Sequence, residues 1–324
     1  MTEILQTPKL VTVFGGSGFL GRHVVRALAR RGYLVRAACR RPDLAGFLQP
    51  LGNVGQIQAV QANLRVRWSV DRAVQGAHHV VNLAAILHES GRQTFDAVHD
   101  FGARAVAEAA RSVDAGLTHV SAIGADKDSA SDYARTKALG ENAVRETIPD
   151  AVIIRPSVMF GPEDTFFNRF ANMARFSPVL PLIGGGETKF QPVFVGDVAE
   201  AIARSVDAKL SAGTTYELGG PQQLTFRECM ETMLETIDRK RWLVTVPWWL
   251  AELQGSVLGM LPNPLLTKDQ VILLRSHNVV SGKAEQEGRT FAGIGMMPTS
   301  VAAVLPSYLW RYRPAGQFTR KTEA

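Results

Sequence analysis

The sequence predicts an α/β protein: a doubly wound parallel sheet with a smaller irregular C-terminal lobe. Three observations carry this. A short apolar run, Val11 to Phe14, leads into Gly15, Gly18 and Gly21 at three-residue spacing. Leu20, Val24 and Leu28 then recur at i, i+4 and i+8, the apolar stripe of a helix, and Gly32 is placed to stop it. Further short apolar runs follow, interleaved with helical stretches, the order expected of parallel βαβ units.

The first element is therefore a strand, a glycine turn and a helix. Glycine lets the backbone approach a pyrophosphate, and a helix start offers unpaired N–H groups and a partial positive charge. Gly15, Ser17, Gly18, Phe19, Leu20 and Gly21 form that turn. A glycine-rich turn with no ligand is the bland alternative. The strand before, the helix after and the second strand beyond favour nucleotide binding.

The second strand is read at Leu34 to Cys39, ending in Arg40 and Arg41. An acidic residue here would bind the ribose hydroxyls of NAD, whereas arginine pairs with the 2′-phosphate of NADP. A guanidinium suits phosphate because its fork donates two parallel hydrogen bonds. Arg22 in the first helical turn is positioned to join that clamp, so NADPH is the expected cofactor. A solvated basic loop is the alternative.

Gln56 to Gln61 reads as the third strand, with Asn63 and Leu64 after it at a place that commonly lies over adenine. Val80 to Leu83 is the fourth, running into Ala84 and Ala85, small enough for a cofactor to lie against the backbone. Phe95 to Arg111 is an alanine-rich helix, and Leu117 to Ser121 the fifth strand. Ser131 to Lys137 opens a helix expected to run to about Glu146. Tyr133 and Lys137 stand four apart and so face one way. An ammonium beside a phenol favours the phenolate, and the pair can move a proton at a carbonyl oxygen.

Composition bounds the rest. The chain has 324 residues, 46% of them hydrophobic, with a formal charge of +6. That suffices for a large α/β domain and an appended lobe. The division expected is a dinucleotide-binding domain over 1–160, with return elements near 190–220, and a C-terminal lobe over 161–324. The charge favours an acidic ligand or surface, but no dense basic stripe with aromatics suggests nucleic acid. The cysteines, Cys39 and Cys229, suit a reducing compartment, and no Cys/His cluster has metal spacing. No uninterrupted apolar run is long enough to span a membrane. With neither an apolar nor an arginine-rich leader before the first strand, a bacterial cytoplasmic-side or processed organellar protein is expected.

In the second half, Phe166, Phe167, Phe170 and Met173 make an apolar helical face, read as core. Gly184 to Gly186 is read as a loop tip, and Asp197 as the cap of a helix from Val198 to Val206. Thr214 to Leu218 is a strand. Thr225 with Glu228, and Thr267 with Gln270, are capping boxes. Arg239 to Arg241 precede an aromatic stretch, 242–261, where Leu250, Leu253, Val257 and Leu261 form one stripe after Trp248 and Trp249. Such a stretch suits a membrane surface or a hydrophobic partner; lobe packing is the alternative. The tail residues Trp310, Arg311, Tyr312, Arg313, Arg320 and Lys321 are read as a solvated, frayed terminus.

Gly15 to Gly21, Asn82 to Ala85, Val120-Ser121, Tyr133 to Lys137, Arg155 to Gly161 and Gln191 to Ala199 together resemble the extended or atypical short-chain dehydrogenases/reductases. The resemblance implies a Rossmann-type fold, Tyr133 as acid/base, Lys137 orienting the ribose, and the Pro156 to Val158 backbone at the nicotinamide end. It also marks a departure. The family usually sets a Ser or Thr beside the tyrosine, often second in a pair, and here the pair is Ser121-Ala122. Loss of one such donor costs ~10²–10³ in rate, so Ser121 is either a substitute or a vestige.

Ala84 to Leu87, His119 to Asp126, Arg155 to Asp164 with Phe166-Phe167, Leu266 to Val271 and Asn278 to Val280 are similar to a narrower branch. It contains the nucleotide-binding accessory subunits of respiratory complex I (NADH:ubiquinone oxidoreductase). This likeness implies a tightly held NADPH outside the electron-transfer path, and complex I partners at the junction of peripheral arm and membrane. It implies the cytoplasmic face of a bacterial inner membrane, or the matrix side of the mitochondrial one. The alternative is an NADP-dependent reductase, epimerase or dehydratase using Tyr133 and Lys137.

Overall fold

The computed structural model describes residues 8–259, 261, 264 and 266–315. It divides into two compact units, 1–155 with 198–216, and 156–197 with 217–324.

In chain order, the elements begin with β1 (Leu10–Phe14), α1 (Phe19–Arg30), β2 (Leu34–Cys39), β3 (Ile57–Gln61) and α2 (Arg67–Val74). Then come β4 (His79–Asn82), a π turn (Asp96–Asp100), α3 (Phe101–Ser112), β5 (Gly116–Val120), α4 (Asp132–Thr147) and β6 (Val152–Pro156). Next are β7 (Met159–Phe160), α5 (Phe167–Phe176), β8 (Val179–Ile183), β9 (Lys189–Phe190), β10 (Val193–Phe194), α6 (Val195–Val206) and β11 (Thr215–Leu218). The chain continues through β12 (Leu224–Thr225), α7 (Phe226–Thr236), β13 (Trp242–Val246) and α8 (Trp248–Leu258). It ends in α9 (Lys268–Leu273), α10 (Gly282–Gln286) and α11 (Val301–Leu309).

The sheet of the first unit has seven strands in the order β11-β6-β5-β4-β1-β2-β3. From β3 to β6 every neighbour runs parallel. Strand order reverses between β1 and β4, the place where doubly wound sheets open a crevice at the strands' carboxyl ends. The inner strands are largely apolar because helices cover them: Phe14, Val80 and Leu117 pack with Val106, Ala103, Ala107 and Val144. Alanine dominates α3 because its buried face meets both the sheet and its neighbouring helices. A buried chain of polar groups ties this unit together, from His79 Nε2 to Thr118 Oγ1 at 2.8 Å and on to Ser205 Oγ at 2.8 Å.

The second unit has its own core, with Phe160, Phe167, Leu180, Phe226, Met230 and Leu305 buried. Phe166, Phe170 and Met173 pack against that core, so the apolar face of α5 is core. Both capping boxes form, at Thr225/Glu228 and Thr267/Gln270.

Three expectations are corrected here. Asp197 does not cap a helix starting at Val198: α6 starts at Val195, and the Asp197 carboxylate accepts from Thr299 N–H at 2.6 Å and Thr299 Oγ1 at 3.1 Å. The helix does not follow Arg239 to Arg241 directly: Trp242 to Val246 form strand β13, parallel to β8, and α8 starts at Trp248. The tail is docked as far as Arg313. Arg311 Nη2 donates to Asn168 Oδ1 at 2.5 Å, and Arg313 Nε to Thr236 O at 2.9 Å. Arg320 and Lys321 lie outside the described residues. Gly184 to Gly186 form a turn with three positive φ angles. It is packed, not free, since a Cβ on Gly184 would stand 2.1 Å from the Trp248 ring.

The β1–α1 crossing is tight at Gly21, where a Cβ would lie 2.1 Å from Gly15 O. We therefore expect Gly21→Ala to cost at least ~3 kcal/mol, the upper end for overpacking. A urea midpoint unchanged from the parent would contradict this.

Candidate functional site

The β1–α1 turn is built by backbone alone. Gly15 adopts φ +78° and its N–H donates to Ala38 O at 3.0 Å. Gly18 N–H returns to Gly15 O at 2.9 Å. A Cβ on Gly15 would meet Ala84 N and Leu83 C at 3.3 Å, so the turn lies against the end of β4. Among the described residues no side chain caps α1 at Gly18, and its first turn has no acidic residue. The amides and dipole of that helix start thus remain available for an anion. Phe19 is half-buried, Leu20 is in the core, and Ser17 lies beside the buried Cys39 thiol. The turn fits a dinucleotide: a narrow cradle, walled by backbone, that side chains would fill.

The expected arginines have different partners. Arg22 stacks over the Phe47 ring at 4.6 Å. Arg40, exposed at the end of β2, donates to Gln93 Oε1. Arg41 forks onto Asp43, Nε to Oδ1 at 3.0 Å and Nη2 to Oδ2 at 2.7 Å, and this holds the Asp43 carboxyl below its usual range. Both members of that pair are exposed, so it is weak and open to exchange. Asn63 Oδ1 accepts from Arg65 N–H at 3.2 Å, and Leu64 packs over Gly102. Leu83 N–H donates to Phe14 O at 3.0 Å, and Ala84 N–H to Asn82 Oδ1 at 3.2 Å. Ala85 is exposed.

Tyr133 is the second residue of α4, whose start is capped by Ser131 accepting from Ala134 N–H. Its ring stands perpendicular to Phe95 and to His99, with centroids 5.9 and 5.2 Å away. Lys137, one turn on, is 2% exposed and its Nζ donates to Val120 O at 3.1 Å. Burial pushes that ammonium down to about 8, while Glu141 works to raise it. Glu141 is itself held by both arms of Arg155, at 2.8 and 2.7 Å. An ammonium poised near neutrality, one helical turn from a phenol, is the arrangement proton transfer needs.

Ser121 follows β5, and its N–H donates to Ile154 O at 2.8 Å. Its Oγ is buried and has no hydrogen-bond partner among the described residues. Pro156 and Val158 lie in the other unit, where Val158 N–H and Ser157 Oγ both donate to Asn278 Oδ1 at 3.0 and 2.7 Å. Among the described residues no cluster of three His, Cys, Asp or Glu side chains has metal-holding geometry.

Two histidines escaped the sequence reading. His99 sits in the π turn against Tyr133. His119, on β5, pairs with Asn82: because the Asn82 Oδ1 is engaged by Ala84 N–H, its Nδ2 donates to His119 Nδ1 at 3.1 Å. The only signal available was that His119 precedes Ser121 by two and so shares its face of the strand.

The profile of the family described as NAD dependent epimerase/dehydratase matches residues 11–219. The chain belongs to that family. Within it, the chain is 33% identical over 320 residues to "NADH dehydrogenase [ubiquinone] 1 alpha subcomplex subunit 9, mitochondrial" of Arabidopsis thaliana, covering 95% of this chain and 79% of that one. It is 38% identical over 174 residues to the ceramide reductase of Caulobacter vibrioides, 54% of each chain. Among solved structures, the NADPH-dependent quinone oxidoreductase of Escherichia coli complexed with NADPH superposes with a TM-score of 0.72 at 19% identity, over 92% of this chain and 99% of that one. This last likeness is one of Rossmann fold.

Burial holds three imidazoles of this epimerase/dehydratase relative neutral: His79 is pushed down to about 4, His119 to about 3 and His99 to about 2. Unfolded histidines take up protons below ~6.5, so the unfolded state binds more protons there and stability falls with pH. We expect a loss of ~1.4 kcal/mol per pH unit for each histidine between the unfolded value and its folded one. Urea midpoints that stay level from pH 7 to pH 5 would contradict this.

Proposed function

We propose that this chain is an NADPH-holding accessory subunit of respiratory complex I, outside the electron-transfer path. The observation that carries the reading is the likeness to a complex I subunit along 95% of the chain. The turn Gly15, Ser17, Gly18, Phe19, Leu20 and Gly21 would hold the pyrophosphate. Arg40, Arg41 and Arg22 would take the 2′-phosphate, with Asn63 and Leu64 toward the adenine and Leu83 to Ala85 along the dinucleotide. Tyr133 and Lys137 would meet the nicotinamide ribose, with Pro156 and Val158 at the nicotinamide end. A ligand bound only by the folded form stabilises it by about 4 kcal/mol at a thousandfold excess over its dissociation constant. The coenzyme thereby serves assembly.

The partners would be complex I subunits where the peripheral arm meets the membrane, on the cytoplasmic or matrix face. Among the described residues no helix is long and apolar enough to cross a membrane. The stretch 242–261 supports a surface contact instead. Trp242, Trp249, Leu253, Val257 and Leu261 are all exposed, while Ala251 and Gly255 face inward. Three of the four residues of the stripe, Leu253, Val257 and Leu261, are therefore on the solvent side.

A second reading, an NADP-dependent reductase, epimerase or dehydratase, is favoured by the presence of Tyr133 and Lys137 one turn apart on α4 and by the likeness to ceramide reductase over half the chain. There the bound nicotinamide would supply or take hydride. Tyr133 would give or accept the proton at the substrate oxygen, and the buried Lys137 would favour the phenolate. Ser121 would be the remaining hydroxyl donor.

Gently solubilised native membranes should carry the protein in the complex I band; recovery as a soluble monomer would contradict the accessory role. Tyr133→Phe should leave assembly and nucleotide content intact; loss of a measurable turnover on a ketone would favour the second reading. Arg40→Ala with Arg41→Ala should weaken NADPH at least roughly tenfold, the worth of a charge-assisted hydrogen bond, and leave NADH nearly unchanged. Equal NADPH and NADH affinities in the parent would refute the phosphate clamp.

A further inference from the structure

His99 belongs to a π turn, closed by Phe101 N–H donating to Asp96 O five residues back. The extra residue re-aims the side chains of that turn, and such insertions gather at functional sites. The turn is seated by a missing side chain on the facing helix: a Cβ on Gly140 would lie 2.1 Å from His99 O. Gly140 follows Tyr133 by seven residues, so both share one face of α4.

The hydrogen bonds of His99 run in one direction. Ile86 N–H donates to its Nε2 at 3.1 Å, so that nitrogen carries no proton. In a neutral ring the proton is then on Nδ1, which donates to Thr136 Oγ1 at 3.1 Å. Thr136 Oγ1 donates in turn to Asp132 O at 2.8 Å. Burial first, then the charge of Lys137 and the neighbouring His119, hold the imidazole neutral. This rail joins the segment after β4, Ala84 to Ile86, to the first turn of α4. The same ring stacks on Phe95 at 5.4 Å, and the two make perpendicular walls for Tyr133.

We propose that His99 is a positioning residue: its single-tautomer rail sets the Tyr133 ring and the Ala84–Ile86 backbone as one unit. This rests on the reading that both meet the nucleotide, and its test is separable from that reading. In nucleotide-free protein, long-range ¹H–¹⁵N spectra should show His99 as the neutral Nδ1–H tautomer from pH 5.5 to 8. The Nε2–H tautomer, or titration in that range, overturns the proposal. With 3-fluorotyrosine incorporated, the Tyr133 ¹⁹F resonance, assigned by Tyr133→Phe, should move in both His99→Phe and Thr136→Val. His99→Phe keeps the wall and loses both bonds, and should weaken NADPH roughly fivefold, one net hydrogen bond. Thr136→Val cuts only the α4 end and should leave NADPH affinity within about twofold, the β4 end being intact. His99→Asn, able to make one bond, should recover part of the loss. A Tyr133 resonance unmoved in folded Thr136→Val overturns the proposal even where His99→Phe fails to fold. Failure of the parent to bind NADPH would sink the cofactor reading and leave the tautomer and ¹⁹F results to decide His99.

Discussion

One backbone contact underlies the nucleotide end of the first unit: α1 crosses the end of β1 with no room for a Cβ at Gly21. That closeness lets Gly15 turn through a positive φ and lie against Leu83 and Ala84. It also leaves the start of α1 bare, with neither a capping side chain nor a carboxylate beside its amides. A polypeptide that needed only a turn could close it with an ordinary cap, worth ~1 kcal/mol. Here four glycines, Gly15, Gly16, Gly18 and Gly21, occupy the turn and its crossing instead, an arrangement suited to an anionic ligand that completes the helix start.

Behind the turn, the unit tolerates an unusual density of buried polar groups. His79, His99, His119 and Lys137 are all drawn toward neutrality by burial, and three of them crowd around α4. Neutral imidazoles cost less to bury than charged ones, and each fixes a neighbour by a directed hydrogen bond. His119 secures the end of β4 through Asn82, His99 secures the following segment through Ile86, and Lys137 grips β5 through Val120. Tyr133 is thus set in a stiff surround. Stiffness of this kind serves catalysis and serves a permanently held coenzyme equally, so preservation of the pair does not by itself imply turnover.

What could be read in the sequence follows from range. The glycine turn, the Tyr133/Lys137 spacing and both capping boxes are local patterns, set within a few residues, and they lie where periodicity places them. Arg40 and Arg41 were legible by type, but Gln93 lies 53 residues from Arg40 and only the fold brings them together. Asp197 looked like a cap because its bond to Thr299 spans 102 residues. Trp242 to Val246 looked like the approach to an amphipathic helix because its partner strand is far back in the chain. His99 was invisible for a different reason. A lone histidine in an alanine-rich helix has no pattern, and the π insertion that turns it toward Tyr133 depends on the gap left by Gly140 on another helix.

The central claim is that the glycine turn of this epimerase/dehydratase relative holds a phosphorylated coenzyme as part of the folded protein. Native mass spectrometry of the chain released under mild conditions from its own membranes tests it directly. The account predicts one NADPH retained per chain, identified by its mass. A chain that emerges bare, or carrying the unphosphorylated dinucleotide, would contradict it.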